Sequence, residues 1–205
     1  MILIVCALAQ ELRHWAPRPH VEVLATGVGP VEAAIATSRA IAISPPAAIV
    51  SAGIAGGFRG RAAVGEAFAI ATDVLAELGL EDGSPLPPLP GGAQLAERVE
   101  SDPGLLEAAA SAGLRIGSAV TVATITTSAA RAADLEERFD ADVEAMEGFA
   151  VLRSAAIAGL PAIELRGVSN LVGPRSASEW DFDAGARALG AALDHFLDVW
   201  GSGEI

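Results

Sequence analysis

A chain of 205 residues has the length of one ordinary domain, since independently folding units run to about 100–200 residues, and one domain over residues 1–205 is the expectation. Apolar residues make up 52% and charged residues 19%, which excludes a disordered or fibrous chain. All 13 basic residues are Arg, so Schiff-base and P-loop lysine chemistry is excluded, and the net charge of −13 repels nucleic-acid phosphates and anionic lipid surfaces.

In chain order, the apolar runs 2–8 and 21–25 read as strands, 31–43 as an Ala-rich helix, and 47–51 and 66–72 as strands. Helices follow at 103–112, 128–139, 147–158 and 183–199, with strands at 116–123 and 162–168. Continuous apolar strands alternating with helical segments are the pattern of an α/β sheet covered on both faces. Residues 78–92, rich in Pro and Gly, read as a surface loop rather than a domain linker, because core-type strands lie on both sides.

The mean hydropathy of +0.45 raises the question of a membrane span. The longest charge-free stretch, 40–58, is broken by Pro45, Pro46, Gly53, Gly56 and Gly57, and such breakers would expose backbone polar groups to lipid. The opening apolar run is too short for a secretory leader and lacks a basic start. The single cysteine, Cys6, lies in an apolar strand and reads as an inert buried thiol. A cytoplasmic protein with no membrane or nucleic-acid partner is expected. His14, His20 and His195 lack metal-ligand spacing, so no metal site is expected.

Two Gly-rich segments follow strands: Thr26-Gly27-Val28-Gly29-Pro30 and Ser51-Ala52-Gly53-Ile54-Ala55-Gly56-Gly57-Phe58. Ligands of open α/β sheets sit beyond the carboxyl ends of the strands, where glycines let backbone amides approach. Both segments are therefore candidate binding loops, and tight turns are the alternative use of their glycines. The first is not a Rossmann fingerprint, because Glu32 stands where the third Gly belongs.

These two segments, together with Val143-Glu144-Ala145-Met146-Glu147 and Leu165-Arg166-Gly167-Val168-Ser169-Asn170, resemble the purine nucleoside phosphorylase and nucleosidase superfamily. Within it they are most similar to futalosine hydrolases. The resemblance spans residues 7–180 and implies a single three-layer α/β/α domain with a central twisted mixed sheet, nucleoside phosphorylase-like, assembled as a homodimer or higher homo-oligomer. The implied activity is hydrolysis of the N-glycosidic bond of futalosine, in menaquinone biosynthesis, with a nucleoside substrate and no cofactor. Three alternatives remain: a methylthioadenosine/S-adenosylhomocysteine nucleosidase, a purine nucleoside phosphorylase, and a non-catalytic nucleoside-binding member of the fold.

The resemblance also implies roles. Glu11 would activate the attacking water, although its place after the first strand equally suits a solvated residue of a short helix. Met146 and Glu147 would hold the ribose. A carboxylate accepts two hydroxyls at once and stabilises the oxocarbenium-like charge of glycoside cleavage, while a helix cap is the plainer use of Glu147.

Asn170, the one Asn in the chain, offers N–H donors suited to the paired acceptors N7 and O6 of a 6-oxopurine. Adenosine-type relatives carry Asp there. A turn residue after a strand is the other reading of Asn170. Gly53 and Ile54 match the loop around the water or phosphate position. The phosphate-binding Gly-Asp-Pro-x-Arg motif of phosphorylating relatives is absent, which favours hydrolysis.

Thr124 and Ile125 would wall the base. Arg166 reads either as a substrate-binding residue or as the partner of Glu147 or Glu144 in a salt bridge. Trp180 closes a segment, 173–181, that resembles the end of the futalosine hydrolase signature, or else anchors a loop by packing. Arg13, Arg59 and Arg175 are candidates for the aromatic carboxylate on the 5′ side of the sugar.

Overall fold

The computed structural model describes residues 1–80, 84, 87, 89–92, 95–174 and 180–201. Its elements in chain order are β1 (Ile2–Cys6), β2 (Val21–Ala25), α1 (Pro30–Ile43), β3 (Ala48–Gly57), β4 (Ala67–Leu75), β5 (Arg98–Glu100), α2 (Pro103–Ser111), β6 (Arg115–Thr121), α3 (Ala129–Phe139), β7 (Val143–Ala145), α4 (Gly148–Ala158), β8 (Ala162–Leu171) and α5 (Phe182–Gly201). Six of residues 78–92, expected as a loop, lie outside the described residues.

The strands form one eight-stranded mixed sheet in the order β2-β1-β3-β7-β6-β4-β5, with β8 paired to both β3 and β4. Because β8 bridges β3 and β4 while β7 bridges β3 and β6, five strands close into a ring. All five contribute to one buried cluster that fills it, through Ala55, Phe68, Ile70, Ala119, Val143 and Val168. The nucleoside phosphorylase-like architecture expected from the motifs is present.

Alternation along the apolar strands explains the layers. Ile2, Ile4 and Cys6 of β1 face α2 and α5 through Leu105, Leu189 and Phe196, whereas Leu3 and Val5 face α1 and α4 through Ala33, Val151 and Leu152. A strand covered on both faces must be apolar at every position, and β1 is. Helix ends follow local chemistry: the Asp102 carboxylate caps α2 by accepting from the Gly104 and Leu105 N–H groups, and Gly159 ends α4 at a φ of 67°.

The structure corrects the reading of the second Gly-rich segment. Residues 51–57 are not a turn but the second half of β3, which runs to Gly57 rather than ending at Ser51. Glycine is used there for close approach instead of bending. A Cβ at Gly57 would lie 2.9 Å from the Ala62 Cβ and 3.0 Å from the Val168 Cγ1, and one at Gly56 would lie 3.2 Å from the Asn170 amide nitrogen. Strands β5 and β7, three residues each, were too short to carry a period.

Two glycines are cut to fit a buried ion pair. A methyl group on Gly53 would overlap the Arg166 guanidinium, and one on Gly148 would overlap the Glu164 carboxylate. Ala normally stabilises a helix by about 1 kcal/mol over Gly. Gly148→Ala in α4 should instead cost about 3 kcal/mol, because overpacking displaces a buried charge. Urea unfolding measures this, and an unchanged midpoint would contradict the packing described.

Candidate active site

A cavity of about 220 Å³ opens at the carboxyl ends of β1, β3, β7 and β8, lined among others by Glu11, Ile54, Ile125, Met146, Glu147 and Asn170. The long sequence separations among these residues are bridged by the sheet. A depression of about 420 Å³ beside α3 is larger, but its Arg131 pairs with Glu77 and its Arg138 with Asp134, so its charges are spent on one another. No cluster of three or more His, Cys, Asp or Glu suited to a metal occurs among the described residues. None of the described helices is long and apolar enough to cross a membrane.

Glu11 sits in a single 3-10 turn, Ala9–Leu12, directly after β1, and is buried rather than solvated. One carboxylate oxygen accepts the Leu8 N–H at 2.9 Å and the other the Ile54 N–H at 3.0 Å. These two backbone donors hold the carboxylate at the cavity wall, each oxygen keeping a lone pair for a further donor.

Glu147 occupies the N-cap position of α4 but does not cap it. Its side chain crosses to the first Gly-rich turn, where Oε1 accepts the Gly29 N–H at 2.8 Å. Gly29 presents this N–H from a φ of 102°, which favours glycine. Burial pushes the Glu147 carboxyl above its usual range, with Glu11 and Glu164 adding to the shift and Arg166 and the Gly29 N–H opposing it.

Arg166 does not line the cavity. It lies behind it, 2% exposed, with Nε donating to Glu164 Oε1 at 2.7 Å and Nη2 donating to Ser51 Oγ at 3.3 Å. The direct partner is therefore Glu164, not Glu147 or Glu144. Burial works against the guanidinium charge, but the charges of Glu164, Glu147 and Glu11 outweigh it and raise the pKa further. Gly53 likewise stands beneath the cavity, as the space the guanidinium fills.

Behind Arg166 lies a group the sequence reading missed. Asp73 is fully buried, and its Oδ2 accepts the Thr121 hydroxyl at 2.6 Å. Burial and the neighbouring Glu164 charge hold its carboxyl well above the ordinary range. Asp73 Oδ1 and Glu164 Oε2 have no other partner, and a proton carried by Asp73 and shared with Glu164 satisfies both. The signal was available: Asp73 and Glu164 are acids in the middle of apolar strands, where a charge requires a partner.

Asn170 reaches the cavity through an irregularity. Ala55 of β3 pairs with Val168 of β8, but Gly56 pairs with Asn170, so the register slips by one residue. Regular alternation would put Asn170 on the face of Glu164 and Arg166; the slip turns it over. Ser169 donates to the Asn170 Oδ1 at 2.8 Å, and Nδ2 donates to the Leu171 carbonyl at 3.2 Å. One of the two N–H groups expected to face a base is thus already used.

Across Gly56 from Asn170, in register on β7, stands Glu144. It lines the same cavity. Thr124 does not, and its side chain is exposed, whereas Ile125 does line it. Trp180 and Phe182, with ring centroids 5.3 Å apart, form an apolar wall. Of the arginines considered for the 5′ side, Arg13 pairs with Asp183 at 2.7 Å and Arg175 lies outside the described residues. No Arg lines the cavity among the described residues. Cys6 is buried, and burial followed by the Glu11 charge pushes its thiol up to about 12, as an inert thiol requires.

Residues 13–198 match the family model of the phosphorylase superfamily. The chain is 40% identical to the futalosine hydrolase of Streptomyces coelicolor, over 87% of this chain and 79% of that protein. It is 34% identical to the futalosine hydrolase of Thermus thermophilus, over 85% and 80%. The fold is shared with the solved futalosine hydrolase of Helicobacter pylori, at a TM-score of 0.80, 19% identity and coverage of 96% and 97%. It is shared equally with the 5′-methylthioadenosine/S-adenosylhomocysteine nucleosidase of Neisseria meningitidis, at a TM-score of 0.80, 19% identity and the same coverage. The chain belongs to the phosphorylase superfamily and, within it, to the futalosine hydrolases.

Asp73, Glu144 and Glu147 all hold their protons more tightly in the folded state. Their contribution to stability is full below the ordinary carboxylate range near pH 4 and is lost as pH rises through the folded-state values. Asp73→Asn keeps an acceptor for Thr121 and a donor for Glu164 while removing one titration. Its unfolding free energy in urea between about pH 4 and 8 should decline less steeply than that of the wild type; equal slopes would show that Asp73 carries no extra proton.

Proposed function

We propose that the protein hydrolyses the N-glycosidic bond of futalosine, releasing hypoxanthine and dehypoxanthinyl futalosine, as a step of menaquinone biosynthesis. What supports this most is the convergence of Glu11, Glu147 and Asn170 on one cavity in a chain 40% identical to a futalosine hydrolase. The Glu147 oxygen not held by Gly29 accepts ribose hydroxyls, and its charge stabilises the oxocarbenium-like sugar. Glu11 aligns the water and takes its proton as the new C–O bond forms. The C–N electron pair leaves with the base, which Asn170 stabilises through its spare N–H and which takes up a proton from solvent, while Glu11 returns the proton it took from water to solvent.

Water rather than phosphate suits the electrophile's other side. Ile54 offers only its backbone, and Arg166 behind the cavity is buried and committed to Glu164 and Ser51. No organic cofactor or metal is needed for this chemistry. The substrate is a small nucleoside, with no nucleic-acid or membrane partner, in the cytoplasm. Val28, Val31 and Ile35, all exposed beside the cavity mouth and along α1, support a homodimer or higher homo-oligomer.

The test is hypoxanthine release from futalosine in phosphate-free buffer, followed chromatographically. Glu11→Gln should lower kcat by about 10²- to 10⁴-fold, and Asn170→Asp should lower kcat/KM for hypoxanthine release by about 10²-fold. A requirement for phosphate would replace hydrolysis with phosphorolysis. Strong wild-type cleavage of methylthioadenosine would overturn the choice of base.

A further inference from the structure

We infer that Glu144 is a specificity-determining residue whose free carboxylate oxygen accepts the N1–H of a 6-oxopurine, completing a base reader of which Asn170 is only half. The inference rests on the nucleosidase reading above.

It starts from an unsatisfied atom. Glu144 is 7% exposed. Its Oε1 accepts the Thr126 N–H at 3.1 Å, and its Oε2 is buried with no partner. An unpaired buried carboxylate oxygen is costly, and this residue lines the cavity. A ligand that donates one hydrogen bond there removes the cost.

Position selects the ligand. Gly56 on β3 pairs with Glu144 on one side and with Asn170 on the other, so the two side chains flank a glycine two strand spacings apart, roughly 10 Å. Glu144, Gly56 and Asn170 all line the cavity, so a planar bicyclic base held there presents one edge toward each side chain.

The donor pattern then selects the base. Asn170 has given one N–H to the Leu171 carbonyl and has one left. N7 is an acceptor in adenine and in 6-oxopurines alike, so that single donor does not choose between them. N1 does choose: it carries a hydrogen in hypoxanthine and guanine and a lone pair in adenine. An ionised carboxylate only accepts, so Glu144 binds the first and repels the second.

The test is calorimetric binding of hypoxanthine, 1-methylhypoxanthine and adenine. The wild type should bind 1-methylhypoxanthine about 30-fold or more weakly than hypoxanthine, as expected for a lost hydrogen bond to a buried charge. In Glu144→Gln the amide carbonyl must turn to the Thr126 N–H, leaving the NH₂ toward N1. Hypoxanthine should weaken about 30-fold while adenine tightens. Circular dichroism checks that the variant folds, and if it does not, the wild-type methyl comparison decides alone.

Wild-type affinities for hypoxanthine and its N1-methyl form within about threefold of each other would overturn the inference. Equal weakening of both bases in Glu144→Gln would overturn it too, because that is what a residue holding only the Thr126 loop would give. A wild type that discriminates at N1 yet cleaves no futalosine would support Glu144 as the reader and remove futalosine as the substrate.

Discussion

A guanidinium that is 2% exposed requires compensation on every side, and the arrangement around Arg166 supplies it. Glu164 takes its Nε, Ser51 takes an Nη2 hydrogen, and Gly53 vacates the volume the group occupies. Gly148 clears the space for Glu164 at the start of α4, so the helix that carries Glu147 at its N-cap is docked against the same pair. Asp73, buried and facing the Glu164 charge beside this pair, holds its proton more tightly than an ordinary carboxyl. Of the carboxylates at the cavity wall, Glu11 and Glu147 face the positive charge behind them. Removing either member of the pair would leave a buried charge uncompensated, a far larger cost than the pair itself returns.

This arrangement explains how Glu11 and Glu147 approach one small cavity without expelling one another. Glu11 is fastened by the N–H groups of Leu8 and Ile54, and Glu147 by that of Gly29, so both are positioned by backbone donors that cannot rotate away. Arg166 supplies a field from the protected side of the sheet, and among the described residues no cation lines the cavity itself. A site that must stabilise a positively charged sugar benefits from that separation, since a cation on the substrate side would oppose the developing charge.

Much of the fold was legible because the apolar runs and Ala-rich segments keep clear periods. The helices start and stop within a residue or two of their expected ends, where Asp102, Pro103, Ser128 and Gly159 mark the boundaries. The misread segment was 51–57. Glycines there looked like a bend, and only the neighbours at Ala62, Val168 and Asn170 reveal them as space left for other chains. Glu11, Ile54, Ile125, Met146, Glu147 and Asn170 were each named and meet at the cavity, whereas Thr124 faces solvent and Arg166 and Gly53 belong to its support.

The sequence by itself determined the layer architecture, the family and the chemical types at the site, because hydrophobic period and ordered motifs are properties of the chain alone. The singular Asn170 was conspicuous for the same reason. Only the tertiary structure decided what that amide can do: the register slip beside Gly56 turns it into the cavity, the Leu171 carbonyl claims one of its hydrogens, and Glu144 arrives opposite it on another strand. Register and cross-strand partners depend on residues far apart in sequence, and no local pattern encodes which of them will meet.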